Sequence, residues 1–138
     1  MALAALPGLA LAGAPAASAA ARPGTAALPR LPACNGKLVL RPKSFVLACA
    51  DANAYLVSIR WSAWTASAAT GTSTFVLNDC TPNCAAGKFH DYPATTRLSR
   101  PRPTKHGELF SLVKVTYRSG ASTEHYDLDL SSIPVFRS

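Results

Sequence analysis

From Lys37 onward, apolar and β-branched side chains return at every second position, segment after segment, and a two-residue period admits a sheet and little else. Across residues 108–118, Leu109, Ser111, Val113, Val115 and Tyr117 share one face, while Glu108, Phe110, Leu112, Lys114 and Thr116 share the other. The stretch therefore predicts a strand buried on one side and partly covered on the second. Residues 55–64 alternate in the same way, with Tyr55, Val57, Ile59 and Trp61 opposite Leu56, Ser58, Arg60 and Ser62. In residues 92–99, Tyr92, Ala94, Thr96 and Leu98 fall together. Further strands are predicted over 37–41 and 44–50, parted by Pro42, and over 71–78 and 124–130. Ser119, Gly120 and Ala121 supply a turn that makes the last two segments a hairpin. Helical periodicity and internal repeats are absent. The expectation is one all-β domain, sandwich-like or barrel-like, of six or seven short strands, and 138 residues leave room for no second domain.

The amino-terminal stretch follows different rules. Residues 1–21 carry no charge and contain only Met, Ala, Leu, Pro, Gly and Ser, with Ala17-Ser18-Ala19 and Ala19-Ala20-Ala21 as small-x-small cleavage patterns. This is the composition of a secretory signal peptide, although its basic n-region is missing, which points to a translation start upstream of Met1. Pro7, Gly8, Gly13 and Pro15 interrupt the apolar run, so a transmembrane anchor is not expected. Residues 22–33, mostly Pro, Gly, Ala and Thr with Arg22 and Arg30, read as a flexible leader, placing the folded domain at 34–138. Leu31-Pro32-Ala33-Cys34 makes a poor lipid-attachment box, since two arginines separate it from the apolar run.

Four cysteines, Cys34, Cys49, Cys80 and Cys84, form an even set in a chain read as exported, and two disulfides are expected. Of three possible pairings, Cys34 with Cys49 and Cys80 with Cys84 suits the predicted strands best: the first pair lies at the ends of adjacent strands and the second brackets a five-residue turn. A loop of about 15 residues closed this way stabilises by roughly 3 kcal/mol, and the short one mainly fixes local shape. Zinc is disfavoured because Cys34 and Cys49 lack the close pairing of structural zinc ligands and no histidine spacing completes a set. Three residues intervene between Cys80 and Cys84, against the two of a redox-active pair.

Three stretches resemble a family of small four-cysteine secreted proteins of actinomycete bacteria. They are Phe45-Val46-Leu47-Ala48-Cys49-Ala50-Asp51, Trp61-Ser62-Ala63-Trp64, and Asn78-Asp79-Cys80-Thr81-Pro82-Asn83-Cys84-Ala85-Ala86-Gly87. The resemblance covers most of the chain after Cys34 and implies export and a stapled domain, with no substrate attached. Members often carry glycine after the second tryptophan, where this chain has Thr65, a departure that touches one turn.

Lys and Arg total 14 against 7 Asp and Glu, a net charge of +7 that falls wholly at or beyond Arg22. Such a field speeds encounter with polyanions without choosing among them. The densest basic stretch is Arg97, Arg100, Arg102 and Lys105, which Pro101 and Pro103 would stiffen into an extended loop able to align with phosphates. No aromatic residues interleave it, so nucleic acid is the weaker partner.

Catalysis has less to stand on. His90, His106 and His125 are available bases, but no Gly-x-Ser-x-Gly elbow or comparable frame accompanies them. Asp51 and Asn53 read as turn residues, and Asp127 and Asp129 as the solvated side of an edge strand. Trp61 and Trp64, three apart, are expected on opposite faces, one of them in the core. No cofactor and no metal site are expected. The functional expectation is an exported, non-enzymatic domain that binds an anionic cell-envelope polymer or an extracellular protein, located outside the cell or on its wall. The alternative is a secreted enzyme or enzyme inhibitor presenting the rigid Cys80–Cys84 loop.

Overall fold

The computed structural model describes residues 27–137 and, ahead of them, only Gly8 and Gly13. The signal segment expected at 1–21 and most of the leader lie outside the described residues. Eight strands follow among those described: β1 (Leu31–Pro32), β2 (Leu38–Val39), β3 (Phe45–Val46), β4 (Ala54–Trp64), β5 (Ala69–Asn78), β6 (Phe89–Thr104), β7 (Gly107–Ser119) and β8 (Ser122–Asp129). Strands β3 to β8 form one antiparallel meander in chain order, and β1 pairs with β2 in a small second sheet. The fold is all-β, as its alternation predicts.

One face of the meander builds the core. Phe75 and Ala69 of β5, Ala94 and Leu98 of β6, and Val113 and Val115 of β7 are buried beside Leu56 and Ile59 of β4. Thr96, fully buried among them, shares a hydrogen bond of 3.1 Å with Ser73, so its hydroxyl is satisfied inside the sheet. The β7–β8 hairpin closes through Ser119 opposite Ser122, with Gly120 at φ +61°, a backbone region open to glycine at little cost.

Strand β4 departs from simple alternation. Its register with β5 shifts between Val57 and Arg60 and again between Trp61 and Ala63, and Ser58 has φ +52°. These bulges change which way the following side chains point. Leu56 and Ile59 therefore both enter the core, although the period-2 reading sets them on opposite faces. Trp61 and Trp64, expected to face apart, meet edge to face at 4.8 Å. Gly71 lies beneath Trp61 at their pairing position; a Cβ there would fall 2.6 Å from the Arg60 carbonyl oxygen.

The folded chain begins before Cys34. Pro29, Leu31 and Pro32 are buried, and the backbone of Arg30 donates to Glu108 and accepts from Phe110, both at 3.0 Å. The indole Nε1 of Trp64 donates to the Pro29 carbonyl at 2.9 Å. This segment occupies the edge of β7 that β8, ending at Asp129 opposite Leu112, leaves uncovered. At least residues 29–32 of the predicted leader are thus an integral part of the fold. The structure pairs Cys34 with Cys49 and Cys80 with Cys84, and the described residues include no free cysteine.

Candidate functional site: the basic half of the sheet

Strand β6 carries the basic stretch, and it is not a loop. It runs unbroken through Pro101 and Pro103, which pair with Phe110 and Glu108 of β7. Proline is tolerated there because β5 begins at Ala69, opposite Leu98, so beyond Leu98 the strand has a partner on one side only. Arg97, Arg100 and Arg102 are all exposed on this strand, and Lys105 is exposed in the turn to β7. Strict alternation would send Arg97 and Arg100 to opposite faces. Arg100 instead adopts φ +52°, which breaks the alternation, and the Ser111 hydroxyl donates to its carbonyl oxygen at 2.7 Å.

Register adds cations from other strands. Lys114 of β7 lies directly opposite Arg97, and Arg60 of β4 lies on the same outer surface, opposite Thr72 of β5. Two carboxylates temper the strip. Asp127 approaches Lys114 at 3.9 Å, with both side chains about half exposed. Asp129 accepts from the Ser131 amide at 2.9 Å; that hydrogen-bonding, with a smaller contribution from Arg100 and Arg102, holds its carboxyl below the usual range.

The row Arg60, Thr72, Thr95, Thr116 and His125 divides the sheet into two halves of opposite charge. Counting that row with the half that holds the β6–β7 turn, and taking only residues within the strands, Arg60, Arg97, Arg100, Arg102 and Lys114 stand against Glu108, Asp127 and Asp129. The strands of the other half carry Asp91 and Glu124 against Arg118. Half-buried Tyr92 and Tyr117 lie in that second half and Tyr126 one position across the dividing row, Tyr117 and Tyr126 each packed on Phe75, and burial raises the hydroxyl pKa of both.

The stapled loop lies in the acidic half. Asn78, buried, donates through Nδ2 to the Cys84 carbonyl at 2.8 Å and to Asn53 Oδ1 at 2.9 Å, and its own Oδ1 accepts from the Cys80 amide. Asp79 accepts from the amides of Thr81 and Lys88, and its second oxygen meets His90 Nε2 at 2.9 Å. The hydrogen bond to His90, followed by those to the two amides, lowers the Asp79 carboxyl from 3.8 to about 2. Residues 81–86 are all exposed.

The remaining candidates are dispersed. Asp51 accepts from the Asn53 amide in an Asx-type turn. His125 Nδ1 lies 3.2 Å from the Thr116 hydroxyl, and His106 is exposed at the β6–β7 turn. His90 and Asp79 form a base and its orienting carboxylate, but the bond holds the loop, and among the described residues no hydroxyl or thiol nucleophile is hydrogen-bonded to His90. No group of three metal-ligating side chains occurs among the described residues, and no described helix is long and apolar enough to cross a membrane. Sequence reasoning missed Arg60, Lys114 and the threonine row, because only strand register places them beside Arg97. Comparison with protein-family models, with curated proteins and with solved structures finds no match.

Proposed function

We propose that this chain is an exported, non-enzymatic domain that docks through the basic half of its sheet onto an anionic polymer of the cell envelope. The observation that carries this reading is the exposure of Arg97, Arg100 and Arg102 along one strand, with Lys114 opposite the first. A paired strand fixes the backbone that carries these guanidinium groups, and their planar forks suit phosphate oxygens. Export is supported by the uncharged segment 1–21, by two disulfides, which persist in oxidising compartments, and by the resemblance to small secreted actinomycete proteins. The test is peptide mapping of protein recovered from culture medium, followed by salt-graded elution from purified cell wall. A mature chain beginning near Ala20 or Arg22, retained by the wall and released by salt, upholds the reading. Protein that stays inside the cell or passes the wall unretained overturns it.

A second reading, an enzyme inhibitor, is favoured by one observation: residues 81–86 are exposed while Asn78, Asp79 and the Cys80–Cys84 bridge pin both ends of their loop. A loop fixed before binding costs less to dock. Replacing Thr81 and Asn83 by Ala would abolish capture of a partner enzyme under this reading and leave wall binding unchanged under the first.

A further inference from the structure

Two adjacent rows of directly opposed side chains cross the outer surface of the sheet. The first is Arg60, Thr72, Thr95, Thr116 and His125, and the second is Ala63, Thr70, Arg97, Lys114 and Asp127, each taken in order from β4 to β8. Neighbouring strands stand about 4.8 Å apart and positions two residues apart along a strand about 7 Å, so the first row spans roughly 19 Å with the second beside it. Thr72 and Thr95 are exposed at its centre, and neither hydroxyl bonds to another described residue. Thr116 is linked only to His125.

Threonine suits a strand on propensity alone, but propensity does not place three threonines in one cross-strand line between an arginine and a histidine. The result is a line of hydroxyls, those of Thr72 and Thr95 without a described partner, flanked by cations at Arg60, Arg97 and Lys114. Cations by themselves hold any polyanion. Hydroxyls add hydrogen bonds to ligand hydroxyls, and so distinguish a polymer with hydroxylated spacers from one without. Neither row contains Phe, Tyr or Trp, and a base has only the His125 imidazole, at one end of the first row, to stack on. Guanidinium forks match the tetrahedral oxygens of a phosphate.

We infer that the polymer is a polyol phosphate laid across the strands, its phosphates on Arg60, Arg97 and Lys114 and its hydroxylated spacers on Thr72, Thr95 and Thr116. This rests on the polyanion-binding reading given above and specifies its ligand.

The experiment is binding of the mature protein to three polymers matched in charge: a glycerol phosphate polymer, inorganic polyphosphate and polygalacturonate. The expected order places the glycerol phosphate polymer about tenfold tighter than either of the others. Thr72→Val with Thr95→Val, which keeps side-chain shape and strand preference, removes that advantage and leaves polyphosphate binding unchanged; Thr72→Ser with Thr95→Ser restores it. Equal affinity of the wild type for the glycerol phosphate polymer and polyphosphate overturns the inference while leaving polyanion binding intact, and so does tighter binding to polygalacturonate. Loss of affinity for all polymers alike in the valine variant, with thermal unfolding unchanged, also overturns it. Failure of the wild type to bind any of the three removes the underlying reading itself.

Discussion

Trp64 donates its indole N–H to the carbonyl of Pro29 across 2.9 Å, tying the end of β4 to a segment 35 residues earlier in the chain. The same ring is met edge to face by Trp61 at 4.8 Å and by Phe110 at 5.6 Å. One buried side chain thus joins the amino-terminal segment, the bulged strand and β7. Trp64→Ala is expected to destabilise by about 3–5 kcal/mol, through the cavity it leaves. Trp64→Phe keeps a ring but orphans the Pro29 carbonyl, for about 1–3 kcal/mol. Denaturant unfolding measures both, and proteolysis of the phenylalanine variant is expected to cut first ahead of Leu31.

Ile59 and Leu56 share the core because Ser58 and the shifts beside it reset the strand, and Trp61 can approach because Gly71 has no side chain. Gly71→Ala would force a methyl group to 2.6 Å from the Arg60 carbonyl oxygen and 3.1 Å from the Trp61 ring. Backbone cannot give way cheaply there. A loss of about 1–3 kcal/mol is expected in thermal or urea unfolding, as for overpacked sites.

The two disulfides close loops of very different length, with separations of 15 and 4 residues. Removing Cys34 and Cys49 together by serine substitution is expected to cost about 3 kcal/mol, since the longer loop restrains more of the unfolded chain. The Cys80 and Cys84 double substitution should cost less globally and instead raise hydrogen exchange over residues 79–88.

Acid acts on the stapled loop through Asp79. Its carboxyl titrates near 3.8 when unperturbed and at about 2 in the fold, so the ionised form is the one that the fold favours. The stabilisation is complete above pH 4 and is lost as pH falls through about 2. Amide protection of Thr81 and Lys88 is expected to fall across that window, and Asp79→Asn should lower it already at neutral pH and abolish its acid dependence.

Much of this architecture is legible in the residues, and the exceptions share a cause. Alternation reveals the buried faces of β6 and β7, and Gly120 marks the hairpin. The turns at Ser58 and Arg100 leave no mark, because a left-handed backbone at a residue other than glycine is imposed by surrounding contacts. Leu31 and Pro32 look like linker until Trp64 and the edge of β7 hold them in place. The cations of the candidate site are visible at once, whereas the row they flank follows from register, which the bulges of β4 set.

Arg100 separates stability from binding. A non-glycine residue in the left-handed region costs on the order of 1–2 kcal/mol, so Arg100→Gly is expected to leave stability unchanged or raise it. If the exposed guanidinium binds anions, the same substitution weakens binding. Paired unfolding and wall-binding measurements check the two halves of this expectation.

The most direct test of polyanion docking is the salt dependence of affinity for a glycerol phosphate polymer, compared between the wild type and a variant with Arg60, Arg97 and Lys114 replaced by Gln. Each cation neutralising a phosphate contributes about one to the slope of log affinity against log salt. A slope that falls by about three in the variant, with unfolding unaltered, is the predicted result. An unchanged slope, or a wild type whose binding ignores salt, would contradict the account.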